Sequence, residues 1–132
     1  LDEPVDLGPF LNLILGFNRG VSFGLLSADG DAGRWLLVTV TGLIAAAMLV
    51  AIGRSRRQSM IFALALVAGG ALGNIVDRVR SGAVTDFIDV HIGKAHWPTF
   101  NLADAAIVLG VAALIFLSAR NARDDGAVEI RR

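Results

Sequence analysis

Leu36-Leu37-Val38-Thr39-Val40-Thr41-Gly42-Leu43-Ile44-Ala45-Ala46-Ala47-Met48-Leu49-Val50-Ala51-Ile52 runs without one charged side chain. With its flanks the stretch reaches about 20 residues, and a helix of that length rises roughly 30 Å, the thickness of a bilayer's hydrocarbon layer. Backbone groups in hydrocarbon have no water to bond, so such a segment satisfies itself as a helix. Outward from it lies Gly53-Arg54-Ser55-Arg56-Arg57-Gln58-Ser59, a short loop with three arginines. A second uncharged stretch, residues 60–73, follows, and a third covers residues 105–118. The sequence therefore predicts three membrane helices, over residues 34–53, 59–79 and 101–120. The expected fold is a membrane all-α bundle with a small β element, forming a single integral membrane domain over residues 1–132.

The remaining composition agrees. The chain of 132 residues is 55% hydrophobic and only 18% charged, below the quarter usual for soluble domains. A net charge of zero gives no nucleic-acid footprint. There is no cysteine, which excludes disulfides and thiolate metal sites. Two histidines, His91 and His96, are too few for a metal site, and neither metal nor cofactor is expected.

Arginine placement orients the bundle. Short loops rich in arginine stay in the cytoplasm. The loop with Arg54, Arg56 and Arg57 and the tail with Arg120, Arg123, Arg131 and Arg132 both go there. Residues 1–33 and 80–100 then lie outside, and Trp35 and Trp97 fall near the outer ends of spans, where aromatic belts sit. The tail from Asp124-Asp125-Gly126 onward, within residues 121–132, reads as disordered. Within the first outer region, residues 10–33, Phe10-Leu11-Asn12-Leu13-Ile14-Leu15-Gly16-Phe17 is rich in strand formers. Asn18-Arg19-Gly20 is a turn signal, and Val21-Ser22-Phe23-Gly24-Leu25-Leu26 completes an expected hairpin.

Chemistry-bearing side chains gather at the outer ends of the spans, whose interiors hold no ionisable group. Span two ends Gly69-Gly70-Ala71-Leu72-Gly73-Asn74-Ile75-Val76-Asp77-Arg78. Asn74 shares a helix face with Asp77 and with Arg78, and Gly69 with Gly73 makes a G-x-x-x-G pattern that admits a close neighbour. Residues 83–92 alternate as a strand. One face carries Val84, Asp86, Ile88, Val90 and Ile92, and the other Thr85, Phe87, Asp89 and His91. A carboxylate among aliphatic neighbours is expensive without a partner or a task, which singles out Asp86 over Asp89.

Local patterns leave structural alternatives open. Asn101-x-x-Asp104 ahead of an apolar run is a capping-box pattern, and an acid there suits the helix dipole. Asp77 and Arg78 can form an ion pair or an interfacial anchor, and Asn18 can be a plain turn residue.

Taken together, four ordered boxes resemble the lipoprotein signal peptidase (signal peptidase II) family. Asn18-Arg19-Gly20-Val21-Ser22-Phe23 is similar to its N-x-G-x-[AS]-F box, and residues 69–78 to its G-G-A-x-G-N-x-x-D-R box. Val84-Thr85-Asp86-Phe87 is similar to V-x-D-F, and Phe100-Asn101-Leu102-Ala103-Asp104 to F-N-x-A-D. The resemblance implies an aspartyl endopeptidase of the bacterial inner membrane, with its site at the outer face. Its substrates would be prolipoproteins bearing diacylglyceryl-cysteine, cut just before that cysteine, and globomycin-like cyclic peptides would inhibit it. By the same resemblance Asp86 and Asp104 form the catalytic pair, and Asn18, Gly20, Asn74, Asp77, Arg78 and Asn101 line the substrate site. The family has four membrane helices, so the resemblance also implies one ahead of Leu1, and the missing start methionine suits a fragment. Two other classes compete: a small proton- or ion-coupled transporter, and a structural membrane assembly protein. A transporter would place ionisable groups near the bilayer midplane, where this chain has none.

Overall fold

In the computed structural model, residues 3–20 and 31–129 are described, with side chains through residue 121. Three helices carry the bundle: α1 (Asp31–Arg54), α2 (Gln58–Ser81) and α3 (Leu102–Glu129). Each contains a stretch long and apolar enough to cross a membrane. A four-stranded antiparallel sheet of β1 (Val5–Asp6), β2 (Leu11–Asn18), β3 (Val84–Ile92) and β4 (Ala95–His96) runs in the order β1-β2-β3-β4.

Helix α2 lies between α1 and α3 and supplies most of the core. Its buried face is Ala63, Leu64, Val67, Ala68, Gly70, Ala71 and Asn74, mostly small residues that let backbones approach. Much of the apolar surface of α1 and α3 faces outward, with Leu43 and Phe116 about two-thirds exposed. In water such surface would be a liability; against lipid it is the appropriate covering.

The close approach of α2 to α3 corrects the expected glycine pairing. Gly69 faces open space, whereas a Cβ on Gly70 would overlap the backbone of Ala103 and stand 2.8 Å from Ile107 Cγ1. From the other helix, a Cβ on Gly110 would stand 2.7 Å from Val67 Cγ2 and 2.8 Å from the Ala63 carbonyl. Gly73 is a lesser contact, 3.3 Å from Ala103 Cβ by the same measure. The contact thus runs through Gly70 and Gly110 rather than through Gly69.

Helix ends follow local chemistry. Gly82 stops α2 in a left-handed conformation (φ 79°), and its N–H returns to the Arg78 carbonyl at 3.0 Å. Arg34 on α1 donates to the Val79 carbonyl at 2.7 Å, tying α1 to the same end of α2. Helix α3 continues through Glu129, so the segment expected to be disordered is helical over most of its length. No proline interrupts residues 119–129, and arginine and alanine there favour helix.

Only the first half of the expected hairpin falls within the described residues. β2 pairs with β1 and with β3, while residues 21–30, which include the expected returning strand, lie outside the described residues. The strand at residues 83–92 forms as β3, turns through Gly93 (φ 59°) and Lys94, and returns as β4. Beyond β4 the chain stays alongside β3: Trp97 N–H bonds the Val90 carbonyl at 2.8 Å, and Ile88 and Phe100 exchange backbone bonds of 2.9 and 3.1 Å. This return delivers Asn101, the residue that opens α3, beside Asp86.

Candidate active site

Asp86 lies in β3 and is 3% exposed. Two asparagine amides serve its carboxylate. Asn18, at the end of β2, donates to Oδ2 at 3.1 Å, and Asn101 donates to Oδ1 at 2.8 Å. Burial raises the Asp86 carboxyl above the ordinary aspartate range, and nearby Asp104 pushes it the same way. The two amide donors and the Arg78 guanidinium pull against that shift without cancelling it.

Asn101 is the hub. Its side-chain nitrogen also donates to Asn74 Oδ1 at 3.3 Å, and Asn74 in turn donates to Asp104 Oδ1 at 2.8 Å. A hydrogen-bonded chain therefore joins Asp86, Asn101, Asn74 and Asp104. The capping box is formed as well: Asp104 N–H bonds Asn101 Oδ1 at 3.0 Å, and Asn101 N–H approaches Asp104 Oδ2 at 3.4 Å. Capping and membership of the polar cluster are not alternatives, because the same two side chains do both.

Arg78 lies one turn beyond Asn74, with an enclosed Nε that has no hydrogen-bond partner among the described residues. Its charge acts on Asp104, Asp86 and Asp77. Asp77 accepts from Thr85 N–H at 3.1 Å, anchoring the start of β3 to α2, and makes no ion pair with Arg78 among the described residues. Gly20 N–H bonds Asn18 Oδ1 at 3.1 Å, a local turn that leaves the Asn18 amide free to face Asp86. The structure thus gathers Asn18, Asn74, Arg78, Asp86, Asn101 and Asp104 at one end of the bundle. Asp77 and Gly20 stand behind them as supports.

A second polar cluster has no counterpart in the sequence reading. Asp89 is buried, accepts from Asn12 of β2 at 3.2 Å, and lies 2.9 Å from His96 Nδ1. The His96 hydrogen bond, partly offset by burial, holds the Asp89 carboxyl below its ordinary value. His91 stacks on His96 with ring centroids 5.0 Å apart. An asparagine within the otherwise apolar stretch 10–17 was the available signal for this cluster. Among the described residues no group of acidic and histidine side chains has the geometry of a metal site.

Comparison with known proteins fits this arrangement. The family described as "Signal peptidase (SPase) II" matches residues 2–120. A "Lipoprotein signal peptidase" of Methylobacterium sp. (strain 4-46) is 46% identical over 127 residues, covering 96% of this chain and 77% of that protein. One of the same name from Paraburkholderia phymatum is 44% identical over 119 residues, covering 89% and 71%. A bacterial membrane enzyme solved by the in meso method at 2.3 Å resolution superposes with a TM-score of 0.81 at 30% identity, covering 92% of this chain and 74% of that one. A family match over nearly the whole chain, near-half identity and a shared fold lead to one conclusion: this chain belongs to the signal peptidase II family.

Proposed function

We propose that the chain is an aspartyl endopeptidase that removes signal peptides from prolipoproteins, with Asp86 and Asp104 as its catalytic pair. The supporting observation is the hydrogen-bonded chain from Asp86 through Asn101 and Asn74 to Asp104, which holds two carboxyl groups in one enclosed polar cluster. The substrate would carry diacylglyceryl on its cysteine and be cut before it. Lipid would surround the apolar helix faces, and globomycin-like cyclic peptides would compete for the site. The protein would sit in the bacterial inner membrane with the sheet end outside.

Two neighbouring carboxyls share a proton more cheaply than both ionise. The raised affinity of Asp86 for a proton suits it to be the acid. Asp104 then takes a proton from water as the water oxygen bonds to the scissile carbonyl carbon. Asp86 gives its proton to the carbonyl oxygen. When the carbon–nitrogen bond breaks, Asp104 passes its proton to the leaving amine, and Asp86 recovers one as the new carboxyl forms. Arg78 balances the negative charge of the pair and Asn74, Asn101 and Asn18 fix its orientation. A transporter or assembly role is not favoured: the buried carboxyl groups, Asp86 and Asp89, lie in the sheet rather than along the helices.

The test is cleavage of a diacylglyceryl-modified lipobox peptide in detergent. Asp86→Asn and Asp104→Asn should each abolish cleavage and still insert into the membrane. Asp89→Asn should keep substantial cleavage, because Asp89 bonds Asn12 and His96 and not the pair. It should nevertheless lower the thermal midpoint. An Asp104→Asn protein that cleaves normally would reduce Asp104 to a cap.

A further inference from the structure

Asp86 is not the only acid of β3 that is held from both sides. Asp89, further along the same strand, is buried as well, and each of the two takes one donor from β2 and one from the segment that returns toward α3. For Asp86 these are Asn18 and Asn101; for Asp89 they are the Asn12 amide at 3.2 Å and His96 Nδ1 at 2.9 Å. The His96 bond keeps Asp89 ionised, and a carboxylate only accepts, so Nδ1 carries the proton. His91, the other titratable side chain beside Asp89, stacks on the His96 ring. Both flanking segments need such a fixture. Between Leu13 and Gly16, β2 carries one more residue than β3, so that Leu13 pairs with Ile88 and Gly16, rather than Leu15, stands opposite Asp86. This bulge breaks the ladder between Asn12 and Asn18, and a broken ladder specifies register weakly. On the other side β4 is two residues long, and beyond it Pro98 has no N–H to give. The backbone bonds from there to β3 run through Trp97 and Phe100.

We infer that the row Asn12–Asp89–His96 fixes the register of the two segments that deliver Asn18 and Asn101 to Asp86, and that His96 is thereby a positioning residue for cleavage. The inference rests on the reading of Asp86 as catalytic. Without His96, Asp89 is a buried charge with one neutral donor, which is costly. The return segment relieves that cost by drawing back to admit water, and Asn101, which it carries, leaves its 2.8 Å contact with Asp86. The His96 side chain is itself 52% exposed, so its removal opens no cavity in the core. Asparagine places an amide nitrogen where Nδ1 stands, so His96→Asn keeps the row without an imidazole. Asp89→Asn likewise keeps an oxygen for Nδ1. The electrostatic readout has a fixed sign. Burial raises the proton affinity of Asp86 and Asp104 adds to it, while the Asn101 and Asn18 amides and the Arg78 charge lower it. Loosened amides therefore leave Asp86 protonated to higher pH.

The experiment measures kcat, KM and the pH profile of kcat/KM on a diacylglyceryl-modified lipobox peptide, with each variant held well below its thermal midpoint. His96→Ala should lower kcat roughly tenfold or more, keep KM within about twofold, and move the alkaline limb to higher pH. His96→Asn should return rate and limb to those of the parent. If His96→Ala does not insert, Asn12→Ala carries the test from the other strand, with the same fall and the same shift. A parent-like kcat in the folded alanine variant overturns the inference. So does a limb that stays in place despite a lower rate, which is the mark of a merely structural role. A limb that moves equally in His96→Asn also overturns it, because the cause is then the lost imidazole and not the lost register. Asp86→Asn on the same peptide separates the two claims. If it cleaves, the catalytic reading fails; if it is inert while His96→Ala matches the parent, only the positioning role fails.

Discussion

The Asn101 side-chain amide stands 2.8 Å from the Asp86 carboxylate while its carbonyl oxygen receives the Asp104 backbone N–H at 3.0 Å. One residue thus joins the strand that carries one acid to the helix that carries the other. Asn101→Asp should separate the two duties. Aspartate caps a helix as well as asparagine, so stability should change by no more than about 1 kcal/mol. It cannot donate to Asp86 when ionised, and it sets a third carboxylate in the cluster. Cleavage should fall by two orders of magnitude or more, on the order of an incorrectly placed catalytic group. Equal cleavage with an intact thermal midpoint would show that the bridge is dispensable.

The pH profile should carry the signature of Asp86. Its proton affinity is raised by burial first and by Asp104 second, so the acid form persists above the ordinary aspartate range. Activity that needs this proton is lost as pH rises through the folded-state value. Arg78→Gln removes a charge that favours the ionised form, and should move the alkaline limb of kcat/KM to higher pH while lowering the maximum. Movement in the opposite direction would contradict the assigned electrostatics. Stability follows the same sign: the contribution of Asp86 is greatest below its unfolded value and declines as pH rises through the folded one.

The helix contact makes its own demand. Gly70→Ala should push α3 away from α2 at Ala103, one residue from Asp104, and stretch the 2.8 Å Asn74–Asp104 bond. Loss of cleavage should exceed loss of stability, with on the order of a hundredfold in rate for a displacement of about 1 Å. Gly69→Ala faces open space and should leave both near their starting values. Comparable activity in the two variants would mean that the approach is not what sets the site.

Topology is checked by labelling. With the arginine loop in the cytoplasm, single cysteines placed at Ser81 should react with an impermeant thiol reagent in intact cells, and those at Ser55 should not. The reverse pattern would invert the orientation, and with it the face of the membrane at which signal peptides are cut.

Much of this architecture was legible in the chain because a membrane makes few demands and enforces them strictly. Charge-free runs of sufficient length gave the helices, and period-two alternation gave β3 with Asp86 on its apolar face. The four boxes named the residues that converge. What escaped depends on register between distant segments. Gly69 and Gly70 are one position apart and about 100° apart around the helix, and no local pattern says which faces α3. Asp89 read as the polar-face acid, yet it is buried, because Asn12 and His96 reach it from the strands on either side. The bulge that exchanges Leu15 for Gly16 opposite Asp86 likewise appears only once β2 is paired. Charge in residues 124–129 suggests disorder, yet these residues extend a helix already nucleated by a span.

The polar chain that joins Asp86 to Asp104 draws on segments that leave the ribosome in a fixed sequence: Asn18, then Asn74, then Asp86, then Asn101 and Asp104. The last contributors open α3, so the preceding helices and the entire sheet are synthesised before the second acid exists in a folded context. A nascent chain that stalls before α3 enters the membrane holds Asp86 without Asn101 or Asp104, and has no pair to share a proton. If the two acids are the catalytic pair, hydrolytic competence coincides with completion of the bundle, and a half-inserted chain is inert.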